Sequence, residues 1–494
     1  MSMDMENYNV VVIGAGIGGL AAGALLARKG LQVTVLEAQD YPGGCAATFS
    51  MQGYRFDAGA TIGCGFHPGA PMDMLGRELG ISWPVTPEPV AWQYRHRGIT
   101  LNLTTSRSEI INRFPRSEAF WKEQSLLAAL LWRLAEGGLS WPVKGPRDLA
   151  LLARKGVAEL PGTAVLLKFA AKTAREWLAS HDLDTDAEFV RFLDAQLLVS
   201  VQTTTMHANA LNAAIALDLP VSGASRIAGG IGRVSEQLAG SIAESGGAVL
   251  YGQEVTRIDS VRREVIGVET RDGGAFAADF TIANLTPDSL EKLVDMEGEP
   301  FSREEIGAKW SAFVLYLGMD AAFFGGVLPT HLQIVAGSGE LAECGSIFVS
   351  ASSPVETDRA PEGLCAVTIS THTAPEPWFE AKKRGQSAYL EMKERYTEKV
   401  LDLFSEQIPG VREAIKSITA STPVTWERYT GRANGHVGGY PQTSLFNVRG
   451  PATRFDNLFL VGDSIFPGQS LPGVVTGARR SVELLLQRMA KGTR

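Results

Sequence analysis

The sequence predicts an α/β fold of Rossmann type, assembled from discontinuous segments, with an α+β domain inserted between them. Three observations predict it. An apolar, β-branched run, Asn9–Ile13, leads directly into Gly14-x-Gly16-x-x-Gly19. A carboxylate, Glu37, closes a second apolar run eighteen residues after Gly19. Near the far end, a third apolar run, Leu458–Val461, meets Gly462-Asp463, a glycine-rich turn and a last helix.

The first element reads as a βαβ unit in its expected order. Asn9–Ile13 is a buried strand. Leu20–Lys29 is rich in alanine and leucine, has Gly23 as its one breaker, and stops at Gly30. Leu31–Leu36 is the second strand. In the loop Gly14-Ala15-Gly16-Ile17-Gly18-Gly19, Gly14 permits a tight turn. Gly16 lets backbone approach a pyrophosphate, and Gly19 lets the helix pack on the strand. The phosphates then sit on the helix N-terminus, where free N–H groups and the dipole favour an anion. Glu37, followed by Ala38, stands where a carboxylate accepts hydrogen bonds from an adenosine ribose, which disfavours a 2′-phosphate and so NADP. The glycine motif alone does not separate FAD from NAD. Pro42-Gly43-Gly44 and the distant Gly462-Asp463 do, because in FAD-binding Rossmann proteins such a C-terminal Gly-Asp lies near the ribityl and pyrophosphate groups, whereas NAD dehydrogenases need no such return of the chain. FAD is the expected cofactor.

Residues 38–75 are glycine-rich, with strand-like pieces at Thr48–Ser50 and Tyr54–Phe56. From 76 the character changes, and 105–218 reads largely helical: Leu126, Leu127, Leu130, Leu131 and Leu134 are assigned to one helical face. The α/β pattern returns at Gly229-Gly230, with a helix at Arg233–Ser245. Strands follow at Ala248–Tyr251, Glu254–Ser260, Glu264–Thr270 and Ala275–Ala283. A second insertion, 301–425, carries strands near Ala312–Met319, Ser346–Ser350 and Cys365–Thr371 and a helix at Ser387–Ile408. The last helix is expected at Gly477–Met489. Segments 1–75, 220–300 and 426–494 are therefore assigned to the cofactor domain. Segments 76–219 and 301–425 are assigned to a substrate domain.

Composition bounds the partners. A net charge of −8 gives no basic footprint for nucleic acid. The four cysteines, Cys45, Cys64, Cys344 and Cys365, form no CxxC pair, so no metal site is expected. The N-terminus lacks the basic and apolar regions of a signal peptide, and no run reaches the roughly 18–20 apolar residues of a membrane span. A cytoplasmic protein, peripheral on a membrane at most, is expected. Residues 120–175 carry the one basic stretch: from Lys122 to Arg175 there are nine Lys/Arg against four Asp/Glu, with Trp121, Trp132 and Trp141 among leucines. This composition suits a membrane-surface element, and equally a helical domain whose leucines form its own core.

These residues bring the chain to a recognisable family. It resembles the phytoene desaturase-like FAD-dependent oxidoreductases, within the wider amine-oxidase-like (GR2) flavoproteins, nearly end to end. Gly43-Gly44-Cys45-Ala46-Ala47-Thr48-Phe49 and Gly53-Tyr54-Arg55-Phe56-Asp57-Ala58-Gly59-Ala60-Thr61 look like the branch of carotenoid isomerases, carotenoid desaturases and retinol saturases. Many relatives carry Arg after the double glycine, where this chain has Cys45. The resemblance implies that Gly59, Ala60 and Thr61 pass near the flavin ring and that Val255 contacts adenine through its backbone. It also implies that Asp463 serves the ribityl–phosphate side, and that Pro472, Gly473 and Val474 open the last helix at the flavin's pyrimidine end. The implied substrate is a long apolar isoprenoid polyene, desaturated, isomerised or saturated. No catalytic acid or base is assigned; His67 and Asp57 are candidates, Asp57 also reading as a turn-stabilising carboxylate. The rivals are an amine oxidase, for which Trp426, Tyr429 and Tyr440 could supply aromatics, and a flavin-free prenyl-binding module of the GDP-dissociation-inhibitor type.

Overall fold

A computed structural model describes residues 8–136, 141–142, 150, 153–154, 162–294, 310–324 and 328–492. Strands β1 (Asn9–Ile13), β2 (Gln32–Leu36), β10 (Ala248–Leu250), β14 (Phe280–Ala283) and β20 (Leu458–Leu460) form one parallel sheet in the order β10-β2-β1-β14-β20. Its two sides explain the near-continuous apolar sequence of β1. Val10 and Val12 face Leu20, Leu238 and Val475 of the helices Ile17–Ala27, Gly232–Glu244 and Leu471–Gly492. Val11 and Ile13 face Val265 and Val268 of a small antiparallel sheet, β11 (Val255–Val261), β12 (Glu264–Thr270) and β13 (Ala275–Ala277). The strand order reverses at β1, flanked by β2 on one side and β14 on the other. In open α/β sheets the crevice at the carboxyl end of such a switch point takes the ligand.

The hairpin β3 (Thr48–Met51) and β4 (Tyr54–Asp57) leads away from this sheet. Strands β5 (Gly63–Cys64), β6 (Val85–Glu88) and β9 (Ala224–Ile227) form a small sheet in the order β5-β9-β6. The large mixed sheet joins β7 (Trp92–His96), β8 (Ile99–Leu103), β15 (Ser311–Asp320), β16 (His331–Val335), β17 (Ser346–Ala351), β18 (Leu364–Thr373) and β19 (Ile415–Ser421) in the order β19-β15-β18-β17-β16-β7-β8. Period-two alternation gives it two faces. Phe313, Leu315, Leu317 and Ile369 meet Trp378 and Phe404 of the helices Glu376–Arg384 and Gln386–Gln407. Val314, Tyr316 and Ala366 meet Tyr54, Phe56 and Trp426, which turns this second face toward the Cys45–Gly59 region.

Three expectations change, and one stretch left unassigned acquires structure. Residues Ala275–Ala283 are two strands, not one: β13 pairs with β12 and β14 with β1, so the chain switches sheets at Ala278-Asp279. The last helix begins at Leu471, six residues early, because Ser470 accepts the Gly473 N–H and so opens a turn before Gly477. The stretch 76–104 supplies β6, β7 and β8, elements too short to show a period. Leu126 lies off the apolar face: Leu127 is buried whereas Leu126 is 67% exposed, the 100° step between neighbours placing one of them outside.

Candidate functional site

Two helix N-termini stand at the heart of the molecule, and their chemistry differs. The helix Gly232–Glu244 is closed by protein. Ile231 N donates to Asp57 Oδ1 at 3.0 Å and Gly232 N to Thr48 Oγ1 at 2.8 Å, while Thr48 Oγ1 donates to the same Asp57 oxygen at 2.6 Å. Asp57 Oδ2 accepts from Arg359 Nη2 at 3.1 Å, and both side chains are buried. The hairpin β3–β4 builds this cap, since its register places Thr48 opposite Asp57.

The helix Ile17–Ala27 is left open. Its N-cap is Gly16, no side chain caps it, and its first turn holds no carboxylate. The turn before it is made by Gly14 at φ +90°, whose N–H donates to Leu36 O. Gly43 N donates to Ala15 O at 2.8 Å, and Gly16 bridges Gly43, which brings the second glycine pair beside the first. A Cβ on Gly16 would stand 2.4 Å from Asn284 Nδ2, and one on Gly18 2.8 Å from Gly462 N. Five segments thus converge on one set of free N–H groups. These orphan donors and the macrodipole fit the pyrophosphate of a dinucleotide.

Glu37 leaves the end of β2 and turns back. Its Oε2 accepts Ala15 N at 2.7 Å and its Oε1 accepts Gln39 N at 2.9 Å. Burial pushes its pKa up, and the N–H groups of Gln39, Ala15 and Ala38 oppose that shift. A carboxylate oxygen has more than one acceptor lone pair, so Glu37 retains capacity for ribose hydroxyls. Val255 opens β11 and packs with Leu36, beside Gln253, whose N–H donates to Glu37 O.

Beyond Gly43-Gly44 the chain passes through Cys45, whose carbonyl accepts Ala60 N at 3.1 Å. A Cβ on Gly59 would meet Trp426 Cη2 at 2.8 Å, and one on Gly65 would meet Pro472. The strip Gly59–Thr61 is thereby held between Cys45, Trp426 and the opening of the last helix, where Pro472, Gly473 and Val474 form the first turn. Asp463 pairs with Arg432 through two contacts, Nη1–Oδ2 and Nη2–Oδ1, each 3.0 Å. Arg432 is held firmly charged by Asp463 despite burial. Burial pushes the Cys45 thiol up while Arg432 pulls it down; the thiol stays protonated and serves as packing.

His67 is exposed and lies outside this constellation, its Nδ1 3.4 Å from Pro68 O. Of the aromatics, Trp426 donates to Ala312 O, Tyr440 is buried and Tyr429 is exposed. Three residues of the region were not anticipated. Asn284 follows β14 as Glu37 follows β2, and that position at a strand's carboxyl end could have pointed to it. Arg432 and the buried His331 carry no local signal. Among the described residues no group of His, Cys, Asp and Glu is arranged to hold a metal, and no helix is long and apolar enough to cross a membrane. Of the basic stretch 120–175, residues 137–140, 143–149, 151–152 and 155–161 lie outside the described residues.

Comparison with known proteins gives the family and the fold. A family model described as flavin containing amine oxidoreductase matches residues 17–486. The chain is 26% identical to prolycopene isomerase 1 of an Oncidium hybrid cultivar, over 99% of this chain and 86% of the relative. It is also 26% identical to a lycopene-forming phytoene desaturase of Paracoccus sp., over 97% of each. A crystal structure of an oxidoreductase from Methanosarcina mazei superposes with a TM-score of 0.65 at 19% identity, covering 96% of this chain and all of the other.

Proposed function

The chain belongs to the flavin containing amine oxidoreductase family, and from that premise we propose that this FAD-dependent oxidoreductase desaturates or isomerises a long apolar polyene of carotenoid type. The likeness to prolycopene isomerases and phytoene desaturases over nearly the whole chain carries the substrate reading. Bound FAD supplies a two-electron acceptor or donor for hydride transfer at an allylic carbon.

The chain's own residues have distinct parts in this reading. The Gly14–Gly19 loop binds the pyrophosphate on open N–H groups, with Gly43 and Gly44 closing over it. Glu37 and Ala38 hold the adenosine ribose, and the Val255 backbone meets the adenine. Asp463, held by Arg432, receives the ribityl side. Cys45, Gly59, Ala60 and Thr61 border the ring together with Pro472, Gly473 and Val474. Segments 1–75, 220–300 and 426–494 form the cofactor domain, and 76–219 with 301–425 the substrate domain. Asp57 serves as the cap of a neighbouring helix rather than as a base, because Thr48, Ile231 and Arg359 already engage both its oxygens. Exposed Leu126, Val165 and Leu167 beside Lys122 and Lys168 form a surface that rests on a bilayer, from which a polyene would enter.

The deciding experiment is anaerobic incubation of FAD-loaded protein with carotenes in liposomes, with the flavin oxidised and then chemically reduced. Loss of two mass units with oxidised flavin identifies a desaturase. A shifted elution at unchanged mass, only with reduced flavin, identifies an isomerase. Turnover of amines with no change in any carotene would overturn the reading.

A further inference from the structure

The sheet register sets His331, the first residue of β16, directly opposite Ser350 of β17. His331 is 4% exposed, and its Nδ1 lies 2.8 Å from Ser350 Oγ. Ser350 Oγ lies 2.8 Å from Thr61 Oγ1, and Thr61 ends the strip Gly59–Thr61 that leans on Cys45. The three side chains also line a cavity whose other walls include Asp57, Arg226 and Glu356. Arg226 and Glu356 are half-buried, so the cavity leads from the interior toward charged, solvent-reached groups.

The chain of atoms has the properties a proton path needs. Each hydroxyl can donate and accept, and a neutral imidazole donates at one nitrogen and accepts at the other. Burial lowers the His331 pKa to about 4, so the ring is neutral at pH 7. The charged groups facing the cavity are Asp57 of β4, Arg226 of β9, and Glu356 and Arg359 of the segment between β17 and β18. Asp57 and Arg359 pair with each other.

We propose that Thr61, Ser350 and His331 form a proton relay from the reaction site into this cavity. The relay rests on the dehydrogenating form of the function proposed above. There bound FAD would accept the electron pair of one substrate C–H bond as hydride. The neighbouring carbon gives up a proton, and the electron pair of that C–H bond becomes the new C=C bond. At rest Ser350 Oγ donates to Thr61 Oγ1. Both hydroxyls first rotate so that Thr61 donates to Ser350 and Ser350 to His331 Nδ1. The proton then passes to Thr61 Oγ1 as the Thr61 hydroxyl proton passes to Ser350 Oγ and the Ser350 proton to His331 Nδ1. The imidazolium then releases its Nε2 proton through the cavity to solvent, which leaves a neutral Nδ1–H ring that returns to its Nε2–H tautomer before the next turnover.

The test has two arms on FAD-loaded full-length protein. In the first, anaerobic single turnover with a carotene in liposomes is followed by loss of oxidised-flavin absorbance. Ser350→Ala and His331→Asn each slow it about 100-fold, and Ser350→Thr, which keeps the hydroxyl, restores most of the rate. The wild-type rate declines as pH falls toward about 4, and His331→Asn removes that acid limb. Thr368→Val, which alters the same cavity outside the chain of hydroxyls, keeps the wild-type rate. An unchanged rate in Ser350→Ala, or an equal loss in Thr368→Val, overturns the relay. In the second arm, the imidazole nitrogens are observed by NMR in histidine-labelled protein. Ser350→Ala shifts the His331 Nδ1 signal, and Thr61→Val shifts it through Ser350. Wild-type protein that reacts with no polyene refutes the substrate reading alone. The relay is then decided by the imidazole: a His331 signal indifferent to Thr61→Val breaks it.

Discussion

The helices Gly232–Glu244 and Ile17–Ala27 pack together on one face of the parallel sheet, yet their N-termini have opposite fates. One is sealed by Asp57 and Thr48; the other presents bare N–H groups beside four glycines. Both carry the same orphan donors and the same partial positive charge. A protein carboxylate neutralises the first permanently. The second keeps its field for an anion that arrives from outside. Asp57 thus belongs to stability and, in the function proposed above, Glu37 to binding, although both carboxylates stand where short strands end within the first 60 residues.

Breaking the sealed terminus has the largest expected effect. Asp57→Ala strands the buried Arg359 guanidinium, the Ile231 N–H and the Thr48 hydroxyl, and costs about 3–5 kcal/mol of stability, read as a lowered urea midpoint. Next comes the open terminus. In Gly16→Ala the new methyl meets only the end of the Asn284 side chain, which can turn aside, so little stability is lost, but the methyl stands where the pyrophosphate would approach. The protein still folds but purifies with little or no flavin. If Gly16→Ala retains flavin while Asp57→Ala loses it at undiminished stability, the two termini have been assigned the wrong way round.

Arg432→Met sharpens the comparison at the same pocket. It leaves Asp463 without its partner and weakens FAD binding by about 1–3 kcal/mol, measured by flavin fluorescence titration. Glu37→Gln weakens FAD about tenfold at neutral pH, the worth of one hydrogen bond to a charged group. Its pH dependence has a definite sign. The folded pKa of Glu37 is raised above 4.5, so FAD affinity falls as pH drops through that raised value, and Glu37→Gln flattens the profile. Apoprotein stability moves the other way: the Glu37 contribution is full below 4.5 and is lost as pH rises through the folded pKa. The smallest effect on stability, within about 0.5 kcal/mol, belongs to Leu126→Glu with Leu167→Glu. That pair reduces liposome flotation; unchanged flotation removes the membrane-surface proposal.

Much of the fold was legible because its signals are local. A β-branched run into Gly14-x-Gly16-x-x-Gly19, a helix stopped by Gly30 and a carboxylate ending the next strand are statements about consecutive residues. The long helix Gln386–Gln407 and the strands β15, β17 and β18 showed themselves by period in the same way. The break at Ala278-Asp279 did not, because an apolar run reads identically whether it serves one sheet or two.

The sequence by itself determined the βαβ unit, the open glycine loop and the expectation of FAD, since these depend on backbone freedom and spacing along the chain. Only the tertiary structure decided that Asp57 caps a helix 174 residues away, that Arg432 holds Asp463, and that His331 meets Ser350 and Thr61. Those pairings depend on sheet register and on segments that converge at the carboxyl end of β1. A side chain's partner across such a gap is chosen by the packing of the whole core, and no local pattern encodes it.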